Sequence, residues 1–244
     1  MKRFGLIGKS LSHSFSRAYF EEKFRTSPID ASYENFELNS IEEVQTVFKI
    51  PELIGLNVTV PYKEAILPYL DDIDPTADLV GAVNTISLKE GRTKGFNTDV
   101  IGFENSLKPF LEHGMERALI LGTGGAAKAV AFVLRKIGLE VLFVSRAPSG
   151  ENQIDYETCN TNAVKWHRLI VNTTPLGTHP NMEQKPPIAY EGLTEKHLLY
   201  DLVYNPEETA FLKEGKLRGA KTINGLSMLK IQAEKSWEIW NSET

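Results

Sequence analysis

Apolar residues recur along this chain in two periods that alternate. Short runs of strand character stand at residues 4–7, 33–38, 53–60, 118–121, 140–144, 169–172, 198–203 and 221–223, most of them bounded by Gly, Pro, Asn or Ser. Helical spacing falls between them. Residues 18–24 read as a helix, and a second is expected from Ser40, whose hydroxyl stands three residues before Glu43 as in a capping box. Ala126, Val130, Val133 and Ile137 recur at helical spacing before Gly138, and Asn205-Pro206-Glu207-Glu208 reads as a helix start with a capping Asn. Residues 84–88 and 93–97 form an expected hairpin around Lys89-Glu90-Gly91-Arg92. Strands alternating with helices predict an α/β fold: an N-terminal α/β domain over 1–100 and a Rossmann-like, doubly wound parallel-sheet nucleotide domain over 101–225. The last segment, 226–244, places Leu229, Ala233, Trp237 and Trp240 on one helical face. That stripe needs an apolar surface, and its return to the first block would make the first domain discontinuous.

Composition narrows the class. In 244 residues, 41% are hydrophobic, enough for a real core. Lys and Arg (27) against Asp and Glu (32) leave a net charge of −5, so no basic footprint points to nucleic acid. The single Cys159 excludes an intramolecular disulfide and offers no metal spacing, which suits a cytoplasmic protein. The basic N-terminus carries an apolar run too short for a signal peptide, and no membrane span is expected elsewhere.

The strand at 118–121 enters Gly122-Thr123-Gly124-Gly125-Ala126-Ala127, a G-x-G-x-x-A turn opening into the 126–137 helix. Gly122 permits the tight turn, Gly124 lets backbone approach a pyrophosphate, and small Ala127 lets helix and strand pack closely. The next strand ends at Ser145-Arg146, where an NAD site would carry an acid for the ribose hydroxyls. Arg146 suits a 2′-phosphate and favours NADP; as a bare strand-end charge it would be a solvated surface residue. Other polar residues cluster in the first block: Ser14 and Ser16 after the first strand, Asn57 and Thr59 alternating along the third, Lys63 beyond Pro61, Asn84 opening the hairpin and Asp99 closing it.

Eight segments, Ser12-His13-Ser14-Phe15-Ser16, 57–63, 81–85, 95–99, 122–127, Asn172-Thr173-Thr174-Pro175-Leu176-Gly177, 201–206 and the Gln232-Ala233 helix, resemble in order the motifs of shikimate dehydrogenases. The resemblance covers nearly the whole chain. It implies NADPH-dependent reduction of 3-dehydroshikimate to shikimate, on the route to chorismate and aromatic amino acids, in a cleft between two domains. By position it implies Ser14 and Ser16 on the substrate carboxylate, Asn57, Thr59, Asn84, Asp99 and Gln232 around the ring, Tyr204 nearby, and Lys63 as the proton donor oriented by Asp99. For NADP it implies Gly122, Thr123, Gly124, Gly125, Ala126, Ala127, Arg146, Asn172, Thr173 and Thr174. Three departures stand out. Arg17 replaces a usual Pro, Ser145-Arg146-Ala147 replaces an Asn-Arg-Thr phosphate motif, and 148–169 is shorter than the family usually carries, which is expected to remove a helix from one face of the sheet. A quinate or dual quinate/shikimate dehydrogenase, using NAD, is the alternative within this chemistry. A non-catalytic ligand-binding or regulatory protein on the same scaffold is the alternative outside it, and intact Lys63 and Asp99 speak against it. A monomer or a homodimer fits equally.

Overall fold

The structure, a computed structural model, describes residues 1–11 and 14–242; Ser12 and His13 of the first motif lie outside the described residues. Its contacts divide the chain into two units, residues 1–98 with 232 onward, and residues 99–231. The division falls just before Asp99 and partway along the last helix.

The first unit runs β1 (Lys2–Gly8), α1 (Phe15–Thr26), β2 (Ala31–Glu37), α2 (Val44–Val47), β3 (Leu53–Val58), α3 (Tyr62–Ala65), β4 (Asp72–Ile73), α4 (Pro75–Val80), β5 (Thr85–Lys89) and β6 (Arg92–Phe96). The strands form one sheet in the order β2-β1-β3-β5-β6-β4. β1 is parallel to β2 and β3, whereas β5 is antiparallel to β3 and β6. The β5–β6 hairpin turns on Glu90 and Gly91, both at positive φ (52° and 76°), the conformation that a two-residue turn matched to strand twist demands. Local chemistry also starts and stops α4: Asp74 caps it through Thr76 N at 2.9 Å, Pro75 holds its first position, and Gly81 ends it at φ 69°.

The second unit runs from α5 (Thr98–Leu107), which starts at the division, through β7 (Arg117–Leu121), α6 (Gly125–Lys136), β8 (Glu140–Val144), β9 (Gln153–Ile154), α7 (Thr161–Trp166), β10 (Leu169–Asn172), β11 (Leu198–Asp201), α8 (Ala210–Leu217) and β12 (Lys221–Ile223). The strand order is β12-β11-β10-β7-β8-β9, parallel throughout. The order reverses between β7 and β10, so the C-terminal ends of these two neighbours form the switch point at which doubly wound sheets bind ligands. β7 and β10 are buried along almost their whole length, as central parallel strands require. α6 buries Val130, Val133 and Leu134 completely, each burial stabilising by about 1.5–3 kcal/mol. In the shortened stretch between β8 and β10 the chain carries only the two-residue β9 and the six-residue α7.

The last helix, α9 (Leu226–Asn241), begins in the second unit and from Gln232 belongs to the first. Ala233 and Trp240 are buried in one cluster with Phe4, Phe20, Phe24 and Tyr33. Trp240 stacks so closely on β3 that a Cβ built on Gly55 would lie 2.2 Å from its indole, and its Nε1 donates to Ile86 O at 2.9 Å. The apolar stripe read from the sequence therefore covers the sheet of the first unit.

Several expectations need correction. α1 begins at Phe15, so Ser16 sits in a helical first turn rather than a loop. The capping box at Ser40 does not form: residues 41–43 make a single 3₁₀ turn without a side-chain cap, α2 is four residues long, and Glu43 accepts from Asn39 N at 3.4 Å. β3 ends at Val58, leaving Thr59 beyond it. Asp99 lies in the first turn of α5 rather than in the hairpin. No helix starts at Asn205; α8 begins at Ala210 with Thr209 as its cap.

Candidate active site

In the first unit, Ser14 caps α1 by accepting from Arg17 N at 3.3 Å, and Ser16 follows one residue into the helix. Residue 17 therefore supplies a backbone donor to the cap, which a proline there would lack. Thr59 leaves β3 with its N–H on Ile7 O, and its methyl lies 2.8 Å from where a Cβ on Gly8 would stand. Lys63 is half-buried in α3, and its carbonyl accepts from Val83 N at 2.8 Å, which places α3 beside the start of β5.

Asn57, Asn84 and Gln232 are buried and drawn together by residues that sequence reading did not single out. Tyr33 Oη donates to Asn57 Oδ1 at 2.7 Å, and Asn57 Nδ2 donates to Ser236 Oγ at 3.0 Å. Asn84 Oδ1 accepts from Thr98 N at 2.7 Å while its Nδ2 donates to Thr98 Oγ1 at 3.0 Å. Thr98 Oγ1 then donates to Gln232 Oε1 at 3.4 Å. Thr85 and Ser236 hydroxyls meet at 2.8 Å in the middle. Burial pushes the Tyr33 phenol far above its ordinary value, against a hydrogen bond from Ser16, so it stays a donor at any physiological pH. The only hint in the sequence was that Gln232 and Ser236 share a helix face at i, i+4.

In the second unit the G-x-G-x-x-A turn stands at the switch point. Gly122 adopts φ 110°, closed to other residues without strain, and a Cβ there would come 2.7 Å from Thr173 Oγ1. Gly124 caps α6 without a side-chain bond, and a Cβ added to it would meet nothing within 4 Å. Exposed Thr123 and Gly124 and half-buried Gly125 and Ala126 thus leave open space before a twelve-residue helix N-terminus, while Ala127 is buried against the sheet. This cradle fits a pyrophosphate. Across from it, Leu121 and Asn172 are register partners, and Thr173 clips to Leu121 O through N (3.0 Å) and Oγ1 (2.7 Å). Asn172 is fully buried; its Oδ1 accepts from Thr174 N and Oγ1, and its Nδ2 donates to Asp201. Its amide shapes the loop rather than reaching outward. Arg146 is exposed one residue beyond Ser145 at the end of β8, where Ser145 Oγ accepts from Ala147 N at 3.2 Å. Half-buried Tyr204 has its phenol raised by burial. The structure thus gathers Asn57, Asn84 and Gln232 in one unit and Gly122 through Ala127 with Asn172, Thr173 and Thr174 in the other.

Asp201, at the end of β11, is a feature the sequence did not announce. It is fully buried and accepts from Thr209 Oγ1 (2.6 Å), Asn172 Nδ2 (2.9 Å) and Val203 N (3.0 Å). Burial lifts its carboxyl to about 6 despite these donors, because desolvation outweighs them. Among the described residues no group of three or more His, Cys, Asp or Glu could hold a metal, and no helix is long and apolar enough to cross a membrane.

Residues 6–86 match the shikimate dehydrogenase substrate binding domain. A relative from Methanosphaera stadtmanae, shikimate dehydrogenase (NADP(+)), is 37% identical over 98% of this chain and 91% of its own length. The chain belongs to the shikimate dehydrogenase family. The Thermus thermophilus shikimate 5-dehydrogenase, solved in complex with NADP(H) and shikimate, superposes with a TM-score of 0.86 at 35% identity, covering 99% of this chain and 94% of that one. A quinate dehydrogenase from Corynebacterium glutamicum in complex with NAD has the same TM-score at 26% identity, over 98% of this chain and 93% of that one. Backbone similarity therefore does not separate the two substrates, whereas sequence identity leans toward shikimate.

Proposed function

We propose that the protein catalyses the NADPH-dependent reduction of 3-dehydroshikimate to shikimate, reversibly, in the biosynthesis of chorismate and aromatic amino acids. The observation that carries this reading is the pairing of a pyrophosphate cradle at the switch point with a buried amide cluster in the other unit. Residues 1–100 with the terminal helix serve as the substrate domain, and 101–225 as the NADP domain. Bound NADPH supplies the hydride to the ketone carbon of the ring. The backbone from Gly122 to Ala127 holds its pyrophosphate, Thr173 and Thr174 shape the facing wall, and Arg146 takes the 2′-phosphate. Ser14 and, once its hydroxyl turns from Tyr33, Ser16 grip the substrate carboxylate with neutral hydroxyls, and Asn57, Thr59, Asn84 and Gln232 address the ring hydroxyls through groups that both donate and accept. As charge develops on the ketone oxygen, the Lys63 ammonium delivers a proton to it, with Asp99 orienting the ammonium and Tyr204 bordering the pocket. A cytoplasmic location belongs to this reading and rests on the lone thiol, Cys159, which is buried and pushed up to about 11 by desolvation. The active species is a monomer or a homodimer.

Quinate is the second substrate to weigh, because a quinate dehydrogenase solved with NAD shares this backbone at a TM-score of 0.86; Ser145-Arg146-Ala147, which lacks a hydroxyl donor of the usual phosphate motif, bears on the choice of NADP over NAD. Quinate carries an extra hydroxyl beside the carboxylate, where Ser14 and Ser16 are already committed. A hydroxyl buried without a partner costs about 1–3 kcal/mol, or roughly 5- to 150-fold in kcat/KM. Steady-state oxidation of shikimate and quinate, each with NADP and NAD, is expected to favour shikimate by at least about tenfold. Comparable efficiencies would establish the dual-substrate reading instead. A chain that binds neither cofactor in a direct titration would be the non-catalytic alternative.

A further inference from the structure

The three amides assigned to the substrate share an unusual environment: each meets hydroxyls that themselves touch one another. An amide can be flipped by 180° at little steric cost, exchanging its donor and acceptor ends, unless its partners dictate the choice. Here they dictate it for Asn57 and Asn84. Ser236 spends its proton on Gln232 O, so the end of Asn57 that faces Ser236 Oγ is Nδ2 and the end that faces Tyr33 is Oδ1, which accepts the phenol proton at 2.7 Å. The opposite end of Asn57 faces Ser236 Oγ at 3.0 Å, with Thr85 Oγ1 and Asn84 O both at 3.3 Å. Ser236 accepts there because its own proton goes back along α9 to Gln232 O at 3.0 Å. Asn84 is fixed by the Thr98 N–H, which can only donate and so selects Oδ1; its Nδ2 then donates to Thr98 Oγ1, which also meets Gln232 Oε1 at 3.4 Å and so ties the third amide to the cluster without fixing its orientation.

From this relay we infer that Tyr33 and Ser236, with Thr85 and Thr98, are positioning residues that set which end of Asn57 and Asn84 is presented to the substrate ring, with Gln232 tied to the same cluster. The inference rests on the reading of these amides as substrate ligands. Both Tyr33 and Ser236 are nearly or fully buried, and neither reaches the ring in this account. Their effect is transmitted through Asn57: a carbonyl oxygen carries two lone pairs, Tyr33 occupies one, and the other is an acceptor aimed by the network. A ring hydroxyl opposite it must donate. Such a network discriminates hydroxyl position and configuration without contributing a contact, because a misplaced hydroxyl finds a locked amide instead of one that can turn to meet it.

The test compares Tyr33→Phe and Ser236→Ala with Asn57→Ala. Tyr33→Phe removes one oxygen and keeps the ring packed against Phe20 (centroids 4.8 Å apart), so it stays informative if Ser236→Ala fails to fold. Each positioning variant is expected to raise KM for shikimate about three- to tenfold, the range for one lost neutral hydrogen bond, with KM for NADP unchanged and kcat near that of the parent. The double variant should cost less than the product of the two singles, since both act through one amide. A purely structural role would lower the melting temperature and the yield of active enzyme while leaving KM for shikimate where it was. Unchanged KM in Tyr33→Phe, together with a raised KM in Asn57→Ala, would overturn the positioning role and spare the substrate reading. Unchanged KM in Asn57→Ala would remove that residue from the substrate site and the inference with it.

Discussion

Replacing Asp201 by Asn should change how the protein's stability depends on pH, in a direction opposite to that of most carboxylates. In the folded chain this carboxyl titrates near 6, against 3.8 when unfolded. The native state therefore binds its proton more tightly than the unfolded one, and the stabilisation is fully present below about pH 4 and is lost as pH rises through about 6. A difference of about 2 pKa units corresponds to about 3 kcal/mol, of which some 2–3 kcal/mol falls between about pH 4 and 7. Asp201 is fully buried, so solvent screening takes little from this figure. Asn at this position keeps the shape but sets an amide against Asn172 Nδ2 or Thr209 Oγ1, a loss that does not vary with pH and so cancels from the slope. Urea unfolding of both proteins across about pH 4–7, followed by tryptophan fluorescence, gives the difference in stability at each pH. The parent's advantage over Asp201→Asn should shrink by about 2–3 kcal/mol as pH rises. A flat difference would mean that the carboxyl is not perturbed. An advantage growing with pH would mean that the three donors outweigh desolvation, refuting the argument from burial.

Lys63→Ala should lower kcat by roughly 10²-fold or more with a much smaller change in KM for shikimate, as expected for a lost proton donor, and a near-normal kcat would remove Lys63 from the mechanism. Asp99→Asn should act in the same direction, with losses that do not add if the two residues work as a unit. Arg146→Ala should weaken NADPH by about 1.5–3 kcal/mol while barely affecting NADH, and equal losses in both titrations would show that Arg146 does not read the 2′-phosphate. Gly55→Ala should destabilise the first unit by about 1–3 kcal/mol, because its Cβ has no room beside the Trp240 indole; thermal melts indistinguishable from the parent would contradict that packing.

Three strands were legible to the residue. β10, buried at all four positions, has the bounds that its apolar run suggests, since a strand between two helical layers stops where its run meets a turn; β8 and β12, exposed at their first residues, have theirs because a polar or glycine-containing turn ends each run. The helix starts that failed were those where a local rule competed with a distant partner. Asn205-Pro206 has the composition of a cap, but the neighbouring Thr209 is held by Asp201 from the end of β11, so the helix begins behind Thr209. At Ser40 only four residues of α-helix follow, too few for a box to stabilise. Asn57 and Asn84, noted in the sequence for their type, and Gln232, implied by the resemblance, are drawn into one buried cluster. The hydroxyls that meet them were not legible, because a Ser on a helix, a Tyr on a strand or a Thr after a hairpin is ordinary until the fold brings them within hydrogen-bonding reach of one another. Asn172 differs: the resemblance implied a place at the cofactor, and its amide is used within the protein, on Thr174 and Asp201.

The stacking of Trp240 on Gly55 makes one folding unit out of two stretches far apart in the chain. Residues 99–231 are contiguous, so the second unit has all of its sequence as soon as that stretch clears the ribosome. The first unit has to wait: Phe4, Phe20 and Phe24 are synthesised early, and the side chains that cover them, Ala233 and Trp240, come last. Closing so long a loop is slow compared with forming local contacts. An aromatic sheet face of the first unit is thus left open until the last helix is available to cover it, while the second unit needs no residue beyond 231. Proteolysis of a released chain cut short at residue 231 would reveal this as a protected second unit beside a cleavable first.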